Sequence, residues 1–340
     1  MASGVEEAGS LRGRLPAAPL EPPSIDSDDD YRSLLGDIGF WAPFVGAALR
    51  AANLPIAERL QSGTPGTYPT FLTDGGLVVK LHGDRWCGPE SFAAELAAHR
   101  LIDRSDLPVP RLVASGELWP MIPAKCWRYL ITTAVPGVPL ANWEGAPEQR
   151  RHMAADLGVV FAKLHRTRLV RDGRFGADGG YARSRLREGR LMAPERQRKW
   201  GHLTPEQCSQ VSGFLDSRWD QVEDLSSITF LHGDLHEDHV FVDEAGHVTG
   251  IIDFGDSLAG DPHLDIVPVH LGSFHGDLAM LESFLRAYST IRPGSEWPGL
   301  MMVLTLVNEF DVLEGWPMLP RPGASLSKLA NDLWGGRWAS

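Results

Sequence analysis

The chain has 340 residues, 32 Lys and Arg against 44 Asp and Glu for a net charge of −12, and 43% apolar residues. At about 150 residues per domain this length implies two domains or lobes around a sizeable core, which excludes a lone small module and a wholly disordered chain. No stretch approaches the ~18 apolar residues of a membrane span, and the acidic balance disfavours a nucleic-acid backbone as partner while favouring cationic ligands.

The opening Met1-Ala-Ser-Gly-Val-Glu-Glu lacks the basic-then-apolar plan of a secretory signal, so the expected location is the cytoplasm. Residues 1–24 mix Gly, Ala, Pro and Glu without period and read as a flexible tail. From Ser24, caps and first-turn acids precede Tyr31, Leu34, Leu35, Ile38, Trp41, Val45 and Leu49 at helical spacing, predicting one or two helices up to Leu54-Pro55. A turn-rich loop, Gln61 to Thr70, is followed by a strand, a turn and a second strand at Leu77–Leu81, then a helix from Pro89 to Ile102 that Asp106-Leu-Pro-Val-Pro110 ends. Arg111 to Ala114 and Tyr129 to Ile131 read as further strands. The second half is mainly helical, with amphipathic segments around Met153–Leu164, Cys208–Val222 and Leu278–Ala287. The Arg-rich Arg183–Lys199 stretch is interrupted by acids and reads as a solvated helical face. Between these helices, Val240-Phe-Val242 and Val248–Ile252 flank Glu244-Ala-Gly246 as a hairpin. The three cysteines, Cys87, Cys126 and Cys208, form no C-x-x-C pair and read as free thiols.

The window richest in chemistry is Leu231-His-Gly-Asp-Leu-His-Glu-Asp-His239, followed across the hairpin by Ile251-Ile-Asp-Phe-Gly-Asp256. The hairpin would bring Asp234 and Asp253 together. Phosphoryl transfer needs such a pair: one carboxylate to orient the acceptor hydroxyl and take its proton, the other to hold Mg2+ on the nucleotide phosphates. The protein-kinase pattern H-R-D-L-x-x-x-N followed by D-F-G is approximated, with Gly233 in place of its Arg and His239 in place of its Asn. Such a fold also needs a strand lysine paired with a glutamate on the next helix, and Lys80 with Glu95 meets that order. Glu90 is the competing glutamate, but it lies near the helix start, where acids cap. Gly66 and Thr67, in the loop from Gly63, could present backbone N–H groups to phosphates. Singly, each of these has a bland explanation as a surface lysine, a turn or a solvated acid; their order and spacing carry the argument.

His232-Gly-Asp234-Leu-His, Ile252-Asp253-Phe and Gly260-Asp261-Pro262 with Asp265 resemble the motifs of the aminoglycoside phosphotransferase family. Ile25-Asp-Ser-Asp-Asp29, Trp86-Cys-Gly-Pro-Glu-Ser91, Pro108-Val-Pro-Arg111, Ser115-Gly-Glu-Leu118 and Asp332-Leu-Trp-Gly335 further resemble its hygromycin B 7″-O-phosphotransferase branch. The resemblance spans about Ile25 to Gly335. It implies an α+β, two-lobed protein-kinase-like fold, with a small mixed N-lobe over 25–133 and a larger, mainly helical C-lobe over 134–340. It also implies ATP and Mg2+ as co-substrate and metal, Asp234 as catalytic base, Asp253 as metal ligand, and Lys80 with Glu95 as the phosphate-gripping pair. Thr133 to Val135 would be the adenine-binding hinge, and Gly260-Asp261-Pro262 a structural support. The implied partner is a small-molecule aminoglycoside met by a monomer, with no nucleic acid or membrane.

His239 departs from the family's Asn. An imidazole nitrogen suits Mg2+ less well than an amide oxygen, so His239 is expected to bind the metal weakly or to orient Asp234 or Asp253, unless Asp238 takes over part of the role. An aminoglycoside is a polycation, so the acceptor site should carry acids. Glu309, Asp311 and Glu314 are candidates, with 311 and 314 neighbours on a helix and 309 turned away. Trp316 is expected to stack on a sugar or to fill the core. Competing readings are a kinase of another amino sugar or endogenous metabolite, a nucleotide-binding sensor without turnover, and a non-haem iron site built from His232, Asp234 and His270. A cluster of His232, His236 and His239 is a further metal arrangement. The oxygenase reading lacks the run of strands that a jelly roll requires.

Overall fold

The structure is a computed structural model, and it describes residues 20–63, 66–102, 106–122, 125–319 and 321–335, together with the backbone of Gly9–Ser10. The chain forms two compact units: the first takes in the described residues of Met1–Asp103 and Pro110–Val135, the second those of Arg104–Val109 and Pro136–Ser340. Most of the expected tail over 1–24 lies outside the described residues. Within it, β1 (Gly9–Ser10) pairs antiparallel with Leu60 and Arg59.

In the first unit, Ser27 caps α1 (Asp28–Leu34) by accepting from Asp30 N at 3.1 Å, and Asp37 caps α2 (Ile38–Ala51) by accepting from Phe40 N at 2.9 Å. The acids of the first turn of α1 favour its dipole. These helices precede β2 (Arg59–Ser62), β3 (Thr70–Thr73), β4 (Leu77–His82), α3 (Gly88–Ile102), β5 (Leu112–Leu118) and β6 (Trp127–Thr133). The sheet has six strands in the order β1-β2-β3-β4-β6-β5, with antiparallel pairing throughout. Trp41, Val45 and Leu49 of α2 bury their side chains with Leu60, Phe71, Val79, Leu81 and Ile131 of the sheet. The two strands expected around Arg111 and Tyr129 are longer than their apolar runs, because pairing from Leu118↔Trp127 to Leu112↔Thr132 extends the ladder through polar residues. Lys80, opposite Leu130 and Thr70, lies on a strand paired on both sides, a placement that holds its backbone rigid.

The second unit is mainly helical. In chain order it contains β7 (Val138–Pro139), α4 (Pro147–Leu164), α5 (Gly180–Trp200), α6 (Pro205–Asp216), α7 (Trp219–Glu223), β8 (Thr229–Leu231), β9 (Val240–Val242), β10 (Val248–Ile251), β11 (Leu258–Gly260), α8 (His263–Pro268), α9 (Leu278–Tyr288), α10 (Trp297–Val307) and α11 (Leu326–Trp334). The core face of α4 (Met153, Leu157, Phe161, Leu164) is buried, and Phe161 meets Phe284 of α9 edge-on with ring centroids 5.5 Å apart. The single helix expected over Cys208–Val222 is instead α6 and α7. Ser217 Oγ donates to Phe214 O at 3.0 Å and Arg218 leaves helical geometry (φ −131°), which turns Trp219 into the core. The Arg-rich stretch is α5; its Ala182, Gly189, Ala193 and Gln197 are buried and its arginines are mostly at the surface. Two short sheets, β10-β9-β7 and β11-β8, sit among the helices and carry the loops that follow them. Among the described residues the cysteines are free thiols, and no helix is long and apolar enough to cross a membrane.

Candidate active site

In the first unit, Lys80 and Glu95 are both buried, and Lys80 Nζ lies 2.9 Å from Glu95 Oε2. His82 Nε2 stands 3.5 Å from the same oxygen, and the Tyr68 ring lies 5.6 Å from the lysine nitrogen. Glu90 sits in the first turn of α3. Gly88, the first residue of α3, has no room for a side chain, because a Cβ would meet the Gly83 carbonyl. A buried ion pair costs desolvation and needs close geometry to be retained, so its energetic contribution is secondary to its holding the ammonium in one place. Gly66 and Thr67 are exposed in the segment between β2 and β3, of which residues 64–65 lie outside the described residues; Tyr31 OH donates to Thr67 O at 3.2 Å. Thr133 closes β6: its N–H donates to Arg111 O at 2.9 Å and its hydroxyl accepts from Arg111 N at 3.0 Å. Val135 is the last residue of this unit.

In the second unit, β8 delivers the loop 232–239 and β10 delivers Asp253. His232 Nε2 donates to Ile252 O at 2.9 Å, and Ile252 N donates to His239 O at 3.0 Å, so the two segments are stitched together on both sides of the hairpin. His239 Nδ1 donates to the Asp234 carbonyl at 2.8 Å, leaving Nε2 turned toward Asp253 Oδ2 at 3.6 Å. The Asp234 carboxyl is pushed up to about 7 by burial, then by the nearby carboxylates of Asp256, Asp253 and Asp265. His236 and His232 are both shifted down, chiefly because burial disfavours the charged ring. Asp253 itself adopts φ +64°, a left-handed conformation that a non-glycine residue takes at a cost. Arg174 braces its loop, donating to Ser257 O at 2.6 Å and Gly255 O at 3.3 Å.

Asp265 organises this loop. Fully buried at the start of α8, its carboxylate accepts from His232 N and Gly233 N, both at 2.8 Å, and from His165 Nε2 at 3.0 Å, while Tyr288 OH lies 2.7 Å from His165 Nδ1. Two backbone N–H groups gripped by one carboxylate set the chain direction into Asp234. Gly233 takes φ +90°, and a Cβ there would fall on the Asp256 carbonyl, so only glycine suits the bend. In Gly260-Asp261-Pro262, Asp261 accepts from Ser227 N and His263 N, at 3.2 and 3.1 Å, neither of them in the loop 232–239. Sequence reasoning did not find the bracing roles of Asp265, His165 and Tyr288, whose only signal was an aspartate four residues after Asp261.

The three C-terminal acids do not share a helix. Asn308 Oδ1 accepts from Phe310 N at 2.9 Å, which ends α10 in a turn, so the expected i,i+3 relation between 311 and 314 is replaced by a coil and a short 3-10 turn over Val312–Gly315. Glu309 forms a close ion pair with Arg185, Asp311 lies 2.9 Å from His202 Nε2, and Glu314 is exposed. Trp316 is buried, as the core reading expected. A cavity of about 80 Å³ beside the loop has Gly233, Leu231, Leu258 and Leu304 in its lining, together with Arg185, Glu188 and Glu309. Asp311 and Glu314 are not in that lining, and Glu188 is an acid that the sequence reading missed. A larger depression of about 700 Å³ runs along α4 and α9, with none of the loop 232–239 in its lining. His270 is buried and bonded to Leu333 O at 2.9 Å rather than joined to Asp234. The group within ligand distance of one another, among the described residues, is Asp234, His236 and His239, with Asp234 in the place the sequence reading allowed to His232.

Residues 64–302 match the model of the phosphotransferase enzyme family. Similar solved structures include an aminoglycoside-3'-phosphotransferase of type VIII, 23% identical over 78% of this chain and 98% of that one, with a TM-score of 0.54. The aminoglycoside phosphotransferase APH(3'')-Id from Streptomyces rimosus, in complex with ADP and streptomycin, is 18% identical over 77% and 95% of the two chains (TM-score 0.52). A thermostable mutant of aminoglycoside phosphotransferase APH(4)-Ia, in a ternary complex with ADP and hygromycin B, is 18% identical over 77% and 87% (TM-score 0.50). At these identities the common property is the fold, α+β and kinase-like.

Proposed function

The chain belongs to the phosphotransferase enzyme family, and from that premise we propose that it transfers the γ-phosphoryl group of ATP to a hydroxyl of an aminoglycoside, with hygromycin B as the acceptor. The observation that carries the reading is the loop at Asp234: a half-buried carboxyl, raised to about 7, on a backbone that Asp265 holds in one conformation. A base of that strength can take the proton of an acceptor hydroxyl at neutral pH. The hydroxyl oxygen then bonds to the γ-phosphorus as the bond to the departing ADP breaks.

In the first unit, Lys80, held by Glu95, supplies a fixed ammonium for the nucleotide phosphates; Gly66 and Thr67 offer backbone N–H groups to them, and Thr133 to Val135 receives the adenine. Asp253 presents a hard carboxylate oxygen that fits Mg2+, whereas His239 offers a nitrogen that fits it poorly. When bound, the metal neutralises charge on the transferred phosphoryl group. Support for an amine-bearing acceptor comes from the net charge of −12 and from Glu188 and Glu309 in the lining of the cavity beside Gly233. Asp311 and Glu314 would meet the ligand only at its periphery. Support for hygromycin B comes from the segments at Ile25–Asp29, Trp86–Ser91 and Asp332–Gly335.

The test is ATP consumption by the purified chain against a panel of aminoglycosides, amino sugars and small alcohols, with mass spectrometry of the products. The expected outcome is a singly phosphorylated hygromycin B, abolished in Asp234→Asn with nucleotide binding retained. Turnover confined to another amine-bearing sugar would replace the acceptor, and near wild-type turnover by Asp234→Asn would remove the base.

A further inference from the structure

The loop that carries the proposed base also carries two imidazoles that no phosphoryl-transfer step uses as a pair. Asp234, His236 and His239 place one carboxylate oxygen and two ring nitrogens within 4.8 Å of one another. The spacing Asp-x-His-x-x-His achieves this because the chain turns on itself, His239 N donating to His236 O at 3.0 Å, so that the two rings touch with centroids 3.8 Å apart. The His239 ring is fixed in one orientation: its Nδ1–H is held by the Asp234 carbonyl at 2.8 Å, which makes Nε2, 3.6 Å from Asp253 Oδ2, the nitrogen that would meet an ion. His236 Nδ1 accepts from Asp238 N at 3.4 Å and lies 3.6 Å from the Asp238 carboxylate; an ion bound at Nε2 would move the ring proton to Nδ1, where that carboxylate can take it as the outer partner.

We propose that Asp234, His236 and His239 form a binding site for a borderline-soft divalent ion of the Zn2+ type, distinct in its ligands from the oxygen-rich site that Mg2+ requires. Two nitrogens and one carboxylate, with a position left open for water, are the donor set of three-ligand zinc sites. Zn–N and Zn–O bonds of about 2.0–2.1 Å put tetrahedral ligands about 3.3 Å apart, so ligand atoms that already lie within 4.8 Å of one another need only draw in by up to about 1.5 Å to hold an ion. Mg2+ demands near-octahedral oxygen coordination and gains little from this set. The lone pair of Asp234 that would accept a substrate proton is then engaged by the metal. Zinc binding and phosphoryl transfer thus exclude one another; this consequence, unlike the site itself, rests on the proposed activity.

The experiment is a titration of the full chain with Zn2+ against a fluorescent chelator, in excess Mg2+ and without nucleotide, alongside visible absorption of the Co2+-loaded protein. Expected are one tightly held Zn2+ per chain, the intense d–d bands of four-coordinate Co2+, and at least a tenfold loss of affinity in His236→Ala and in His239→Asn. His152→Ala, an exposed histidine on α4, should change nothing. His236→Gln and thermal melting of each variant separate loss of a ligand from loss of fold. Equal zinc affinity in wild type and loop variants, or a six-coordinate Co2+ spectrum, overturns the site. Zinc bound as expected by a chain that phosphorylates nothing would uphold the site and refute the proposed activity. In an active enzyme, zinc inhibition should be reversed by chelation and blunted in His239→Asn.

Discussion

Asp265→Asn tests whether one buried carboxylate sets the geometry of the loop that ends in Asp234. The carboxylate accepts three hydrogen bonds, from His232 N, Gly233 N and His165 Nε2. An amide of the same shape has one oxygen. Placed at Oδ2 it can still accept from His232 and His165, now without charge, while its NH2 group faces the Gly233 N–H donor to donor. Losing one charge-assisted bond costs about 1.5–3 kcal/mol, and weakening the other two adds a comparable amount, so a total of about 3–5 kcal/mol is expected. At about 2–4 °C per kcal/mol for a domain of this size, the melting temperature should fall by roughly 6–20 °C. Gly233 is the group released, so the carboxylate of Asp234 should drift by a fraction of an ångström or more. The expected kinetic result is a fall in kcat of about a hundredfold with little change in KM for ATP. Differential scanning calorimetry and steady-state kinetics read the two effects separately. A cycle with His165→Phe should show about 1–3 kcal/mol of coupling. A melting shift under 2 °C together with kcat within twofold of wild type would refute the claim that Asp265 holds the loop.

Gly233→Ala should cost about 1–3 kcal/mol from the φ of +90° alone, and its Cβ must displace the Asp256 carbonyl, so turnover should be lost even where circular dichroism shows a folded chain. His270 is buried and held down to about 4, with Nε2 on Leu333 O. Its folded value lies below the ordinary ~6.5, so the unfolded chain binds the extra proton first and stability falls as pH drops from about 6.5 toward 4, by up to about 3 kcal/mol. Denaturant melts across that range should show this slope, and His270→Gln should flatten it. Arg185→Gln should release Glu309 and Glu188 from their internal cation and lower KM for a polycationic acceptor by about two- to fivefold, with stability changed by less than about 1 kcal/mol. A raised KM would show instead that Arg185 contributes to acceptor binding.

Local chemistry was legible wherever one short segment sufficed. Lys80 lies in an apolar, β-branched run, Glu95 sits on the buried face of the following helix, and Glu-Ala-Gly marks the turn that brings Asp253 back toward Asp234. Periodicity located α2, α4 and α9 because each buries a continuous apolar face. It failed at Cys208–Val222, where the apolar spacing runs on through Ser217 and Arg218 although the backbone turns. The helical spacing expected of Asp311 and Glu314 does not hold either, because the Asn308 side chain accepts from Phe310 N and the chain leaves the helix there.

What no single segment could show is which distant polar groups satisfy one another. Asp265 is one of many acids until folding buries it under two N–H groups of a loop more than thirty residues earlier. His165, which caps the C-terminus of α4, and Tyr288, the last residue of α9, become its supports only because those helices pack together. The same holds for the altered acidity of Asp234, which comes from burial and from carboxylates assembled across the hairpin. A residue type and its spacing specify local backbone geometry and the chemistry available, whereas desolvation and hydrogen-bond partnership depend on everything nearby in three dimensions, and tertiary packing alone decides them.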